Sequence, residues 1–263
     1  MPTELLSTGE GRITILALSS ADGRNLLAPA VYAAGIEALN TAADSADVDA
    51  VVLAGQGTHF SWGEDLEALR ASARPRAPSD ASDADGFARA DLRDWMEAIA
   101  TFPKPLIAAV EGTAAGAGLA LALACDLVVA SDRAAFSLPH AALGVLPAAG
   151  AIWHAARGVP APLAMELLLD GTPMPATRLQ AVGLVNRIAA PGAARAEAIA
   201  WAARLAGVPA ALVADIKELH GAARELPLDA FLEREHGRRL HHLHRESTQR
   251  ALANPGAVHR AIS

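Results

Sequence analysis

The stretch Lys104–Ala130, KPLIAAVEGTAAGAGLALALACDLVVA, restricts the possible folds more than any other part of the chain. Two aliphatic runs, Leu106–Val110 and Leu127–Ala130, read as buried strands. Between them lie a tight turn of small residues, Glu111–Gly118, and a short apolar helix, Leu119–Ala124. The turn carries glycine at 112, 116 and 118 and alanine at 114, 115 and 117. Without bulky side chains, another molecule's atoms can come close to the main chain there. The helix that follows begins with N–H groups lacking intrahelical acceptors and with the positive end of its dipole. Such a turn suits a carbonyl oxygen that is gaining negative charge.

Two other readings of the turn compete with this one. The first is close packing alone, since glycine and small residues punctuate most turns. The second is a nucleotide site, because Gly112-x-x-x-Gly116-x-Gly118 has the glycine spacing of short-chain dehydrogenases. That fingerprint belongs on the first strand–helix turn, with an acidic residue about 20 positions on. Here it begins only at residue 112, and the sole tyrosine, Tyr32, has Ile36 where those enzymes need lysine.

Hydrophobic residues make up 52% of the 263, enough for a sizeable core. A net charge of −7 argues against sequence-independent nucleic-acid binding and against adsorption to anionic membranes. The one cysteine, Cys125, sits among apolar residues and reads as a small core side chain. Met1–Arg12 lacks the basic start and apolar core of a signal peptide, and the apolar run Leu119–Cys125 is too short to span a bilayer. The expectation is a cytoplasmic protein with no nucleic-acid and no membrane partner. His236, His241, His242 and His244 fit no standard metal spacing and read as a solvated helix face, so no metal site is expected.

Strands are expected at Arg12–Leu18, Ala50–Ala54 and Leu184–Ile188, with a short extended segment at Ala134–Ser137. Helices are expected at Ala28–Asn40, Ala88–Thr101, Ile152–Arg157, Pro162–Leu169 and Ala176–Val182. Ser72–Asp85, rich in Ser, Pro, Ala and Asp, reads as a mobile surface loop, and Leu138–Gly150 as a loop punctuated by Pro and Gly. From Ala193 onward the pattern is nearly all helix. Alternating strands and helices followed by a helical tail indicate an α/β fold, with a core over residues 1–192 and a helical region over 193–263 that caps the core or mediates assembly.

Four blocks, in order and in register, resemble the crotonase (enoyl-CoA hydratase/isomerase) superfamily. They are Asp22-Gly23-Arg24-Asn25; VVLAGQGTHFSWGEDLEAL at Val51–Leu69; KPLIAAVEGTAAGAGLALALACDLVVAS at Lys104–Ser131; and FSLPHAALGVLPAAG at Phe136–Gly150. The resemblance implies a spiral of ββα turns whose C-terminal helices pack in a homotrimer or hexamer. It implies an acyl-CoA substrate, with CoA carried as part of the substrate and no separate cofactor. It also implies an oxyanion hole made by the backbone N–H groups of Glu64, just after Gly63, and of Ala117, just after Gly116. Asp65 and Trp62 would flank the hole, and Arg24 matches a basic residue near the CoA adenine.

The glutamates with which family hydratases handle water fall on Ala120 and His140. Alanine cannot transfer a proton, whereas imidazole, titrating near pH 6.5, can act as acid or base at neutral pH. His140 is therefore the expected general acid/base, and Ala120 part of the substrate wall. A histidine here also resembles crotonase-family hydrolases that cleave the C–C bond of a β-diketone without CoA, although the position of their aspartate is Ala149. A catalytically silent member kept for binding or assembly is the third possibility. Asp91 and Asp94 fall on the helix that lines the family's acyl pocket, and Glu111 is expected to cap a helix or face solvent.

Overall fold

The computed structural model describes residues 2–65, 67, 69, 70 and 84–253. The Ser72–Asp85 loop, apart from its last two residues, lies outside them, as does the side chain of Asp91. The chain forms two compact units, which meet in sequence at Gly207 and Val208. The expected boundary at 192 falls one helix earlier, because helix 194–205 packs on the sheet of the first unit.

That sheet has six strands: β1 (Glu4–Glu10), β2 (Ile13–Ser19), β3 (Ala50–Gly55), β4 (Leu106–Val110), β6 (Leu127–Ser131) and β9 (Arg187–Ala189), in the order β1-β2-β3-β4-β6-β9. β1 is antiparallel to β2, with Glu4 opposite Ser19; the remaining neighbours run parallel. Every residue of β3 and β4 is buried, as expected for parallel strands covered on both faces. The two-residue strand period sorts their side chains. Leu16, Leu18, Val51, Leu53, Leu106, Ala108 and Val110 enter the main core. Ile13, Ile15, Val52, Ala54, Ile107 and Ala109 face the other way, onto the helix 194–205. That helix presents Ala194, Ala198 and Ala202 at four-residue spacing, a flat stripe that allows close approach.

A second sheet joins β5 (Thr113–Ala115), β7 (Ala135–Ser137) and β8 (Met174–Pro175) in the order β5-β7-β8. The chain thus repeats one unit: a strand in the large sheet, a short strand in the small one, then a helix. β4–β5 is followed by α3 (Ala117–Ala124), and β6–β7 by α4 (Ala151–Gly158). After β3 the small-sheet strand shrinks to a single bridge between Ser61 and Ala114, and the helix is α2 (Ala84–Thr101). This is the expected spiral of ββα turns.

α1 (Pro29–Asp44) packs on α2 where Gly35 leaves room for the buried indole of Trp95. Lys104, buried, donates from Nζ to the carbonyls of Ala42 (2.6 Å) and Ser45 (2.7 Å) at the end of α1. Glu111 accepts the Ala194 N–H at 2.9 Å and so caps the helix 194–205, the role its sequence position suggested. The first unit is completed by α5 (Ala161–Leu169), α6 (Ala176–Ala181) and that helix, α7 (Ala194–Leu205).

The second unit consists of α8 (Ala210–Ala222), α9 (Leu228–Leu243) and α10 (Glu246–Leu252). Ion pairs join α8 to α9: Asp215 to Arg238, and Glu218 to Arg234 and Arg238. His242 lies 2.7 Å from Asp215. Among the described residues no group of three or more His, Cys, Asp or Glu side chains is arranged to hold a metal ion. Among them, no single helix is long and apolar enough to cross a membrane.

Candidate active site

The segment after β3 is held by one buried polar side chain. Asn25, at φ +52°, donates from Nδ2 to the carbonyls of Gln56 (3.1 Å) and His59 (2.9 Å), while its Oδ1 accepts the Ser20 N–H (3.0 Å). The Asn25 carbonyl accepts the Ser61 hydroxyl at 2.7 Å, and Ser61 Oγ in turn accepts the Gly63 N–H at 3.0 Å. This relay sets the backbone around Gly63. The Gly63 carbonyl accepts the Leu27 N–H at 2.8 Å. In a trans peptide the C=O and the next N–H point in opposite directions, so the Glu64 N–H is directed away from Leu27.

The small-residue turn meets this segment from the other side. Ala115 N–H donates to the Ser61 carbonyl, and Gly116 N–H to the Ser137 carbonyl, both at 2.9 Å. Gly116, at φ +55°, is the N-cap of α3, and its carbonyl accepts the Ala120 N–H. Ala117 is therefore the first residue of the helix, and its N–H points out of the helix end. Gly63, at φ +82°, lies against this turn: a Cβ on it would come 2.6 Å from the Ala115 carbonyl oxygen and 2.9 Å from the Ala117 nitrogen. The amides of Glu64 and Ala117, 53 positions apart by number, flank that contact.

A cavity of about 1250 Å³ opens beside the turn, lined by Glu64, Asp65, His140, the Ala148–Gly150 turn, residues of α1 and α2, and Trp153 and His154 of α4. His140 is 8% exposed, and a Cβ on Gly116 would lie 3.2 Å from its Cε1, which places the imidazole against the α3 end. Its Nδ1 has no hydrogen-bond partner among the described residues. Burial pushes the His140 pKa below the ordinary imidazole range, and with it the proportion of charged ring at neutral pH. A neutral imidazole has one bare nitrogen, so it can take a proton from a neighbouring O–H or C–H.

The other expected residues are distributed around this centre. Gly63, Gly116 and Ala117 meet where the two segments touch, and none of the three is among the residues lining the cavity. Ala120 is fully buried within the packing around α3 and, like them, is not among the residues lining the cavity. Trp62 is exposed and stacks edge-on against His59 at 5.6 Å, outside the lining. The Arg24 side chain is turned onto Asp22 at 2.7 Å, and the Arg24 amide and guanidinium hold the Asp22 carboxyl down at about 2. From α2, Arg93, Met96 and Glu97 reach the lining, whereas Asp94 is exposed and does not.

Three contributors escaped the sequence reading. Asn25 and Ser61 are fully buried polar residues in loops with exposed neighbours, so their hydrogen-bonding duty shows only once burial is known. His154 lies on α4, where a lone histidine carries no local signal. Ala149, where the β-diketone hydrolases have aspartate, takes a left-handed φ of +56° and lines the cavity with a methyl group.

Comparison with known proteins bears on the family and the fold. The profile described as enoyl-CoA hydratase/isomerase matches residues 9–254. A probable enoyl-CoA hydratase of Rhizobium meliloti (strain 1021) is 35% identical over 227 residues, covering 85% of this chain and 83% of that protein. A 2,3-dehydroadipyl-CoA hydratase of Escherichia coli (strain K12) is 34% identical over 71% of this chain and 69% of its own length. The crystal structure of an enoyl-CoA hydratase from Polaromonas sp. JS666 superposes with a TM-score of 0.89 at 40% identity, covering 95% of both chains. Crotonase-fold hydratases are thus its structural neighbours, and the chain belongs to the enoyl-CoA hydratase/isomerase family.

Proposed function

We propose that the protein adds water to the double bond of a 2-enoyl-CoA thioester, with His140 as the group that carries the proton. The observation that carries this reading is the buried imidazole of His140, which lines a large cavity and lies against the end of α3. The thioester carbonyl oxygen would sit between the Glu64 and Ala117 amides, where developing negative charge meets N–H groups and the helix dipole. With that oxygen stabilised, the β-carbon becomes electrophilic. His140 takes a proton from water as the oxygen attacks, then returns it to the α-carbon of the enolate. One group therefore does the work that family hydratases divide between two carboxylates.

The test is a panel of 2-enoyl-CoA thioesters of increasing chain length, with a β-diketone as the CoA-free comparison, followed by loss of the enoyl absorbance. Turnover of at least one thioester is the expected result. Cleavage of the diketone with no thioester turnover would replace hydration by CoA-independent C–C hydrolysis. Tight CoA-ester binding without turnover of either would make the protein a silent binder.

We further infer a homotrimer or hexamer built through the C-terminal helices. None of α8, α9 and α10 contains a buried residue, and Leu228 is 71% exposed, with Ile216 and Leu232 also uncovered. A unit this small without a core of its own needs apolar surface covered by something else. Light scattering is expected to read three or six times 27.0 kDa, and Leu232→Glu to shift the mass towards the single chain. A monomeric wild type rejects this assembly.

A further inference from the structure

A second imidazole lines the same cavity. His154 projects from α4, whose N-cap Gly150 stands in the left-handed region after Ala149. Its ring lies over this turn: a Cβ on Gly150 would be 3.6 Å from His154 Cδ2 and 3.8 Å from Nε2. The Trp153 ring meets it edge-on, with centroids 4.9 Å apart. Among the described residues, no side-chain hydrogen bond or ion pair engages its nitrogens. The ring is thus fixed by apolar and aromatic contact, while its hydrogen-bonding capacity is left to whatever fills the cavity.

We infer that His154 is the second anchor of the attacking water, taking over from α4 the place that Ala120 cannot fill on α3. The inference rests on the hydratase reading above. A water attacking a β-carbon must be oriented by two hydrogen bonds, one through each of its O–H groups, so that a lone pair faces the carbon. His140 accepts one O–H and His154, through its bare nitrogen, the other. Both rings are pushed by burial towards the neutral form, which has that bare nitrogen. The step balances without a change at His154. One O–H bond of water breaks and its proton goes to His140. The C–O bond forms at the β-carbon, and the π pair moves to the thioester oxygen. The pair then returns, and the α-carbon takes the proton from His140. His154 keeps its own proton throughout, so no imidazolate is formed.

Two reactions separate this role from a structural one. Hydration of a 2-enoyl-CoA needs the oriented water. Exchange of the α-protons of the saturated acyl-CoA with deuterium oxide needs the oxyanion site and His140 but no attacking water. His154→Ala and His154→Gln are each expected to lower kcat for hydration by about 100-fold, with KM and the α-exchange rate within threefold of wild type. Glutamine fills the space, so its failure to restore rate separates water orientation from packing. Hydration within threefold of wild type in both variants would overturn the role of His154 and leave the hydratase reading standing. Equal loss of hydration and exchange would overturn it too, since His154 would then be supporting the whole site. A wild type that hydrates no enoyl-CoA would sink the hydratase reading and the water anchor with it.

Discussion

Replacing His140 by glutamine is expected to lower enoyl-CoA turnover by about 10²–10⁴-fold, the range that a positioned acid/base group contributes. Glutamine keeps much of the volume and can still hydrogen-bond, but it cannot carry a proton. The substrate should therefore bind within a few-fold of its normal affinity, and the loss should fall on kcat. The pH profile gives an independent check. Burial lowers the His140 pKa, so the neutral, proton-accepting ring persists to more acidic pH than a free imidazole allows. Activity should be level through neutrality and fall only below the ordinary imidazole value of about 6.5, as the ring protonates. His140 also makes stability depend on pH. Its folded pKa lies below the unfolded value, so its contribution is fully present above about pH 6.5 and is lost as the pH falls through the folded pKa. A glutamine variant with near-normal turnover and an unchanged acidic limb would remove His140 from the chemistry.

Gly63→Ala is the second change with a large expected effect. The added Cβ would stand 2.6 Å from the Ala115 carbonyl oxygen and 2.9 Å from the Ala117 nitrogen. Both obstacles are main chain, so no rotamer can relieve the contact. The two segments must separate, and with them the Glu64 and Ala117 amides. Losing one donor of such a pair costs about 10²–10³-fold in kcat. The backbone at φ +82° adds strain of about 1–2 kcal/mol for a residue with a side chain. Gly57→Ala is the matched control: its φ is +84°, yet a Cβ there meets nothing within 4 Å. Gly57→Ala should lose similar stability to the φ strain alone and keep its activity. If the two variants showed equal activity, the approach of Gly63 to the α3 turn would have no catalytic meaning.

Much of the site was legible because its chemistry sits in short segments. The Gly116–Gly118 turn, the Gly63–Asp65 segment and His140 in its Pro-rich loop each announce themselves within a few residues. The structure brings Glu64, Asp65 and His140 to one cavity, with the Gly116 turn behind them. Trp62 adjoins the Gly63–Asp65 segment and Arg24 lies in the Asp22–Asn25 block, yet one stacks on His59 and the other pairs with Asp22. A linear motif places a backbone; it does not say where a long side chain turns.

The buried strands β2, β3, β4 and β6 and the principal helices followed from runs of aliphatic residues and from helical periodicity, which depend on neighbours along the chain. By itself, the amino-acid order therefore determined the α/β alternation, the small-residue turn and the absence of two family carboxylates at Ala120 and His140. The tertiary structure decided what depends on partners far away in sequence. β1, with its mixed ELLSTGE pattern, becomes a strand because β2 supplies its hydrogen bonds. β5 and β8 are two or three residues long and form by pairing with β7, β5 also bridging to Ser61. The Asn25–Ser61–Gly63 relay spans 38 positions, and the lone His154 reaches the cavity because α4 folds back beside the Gly150 turn. Hydrophobic period is a local quantity, whereas a hydrogen-bond partner across a sheet or a cavity wall is set only when the chain closes on itself.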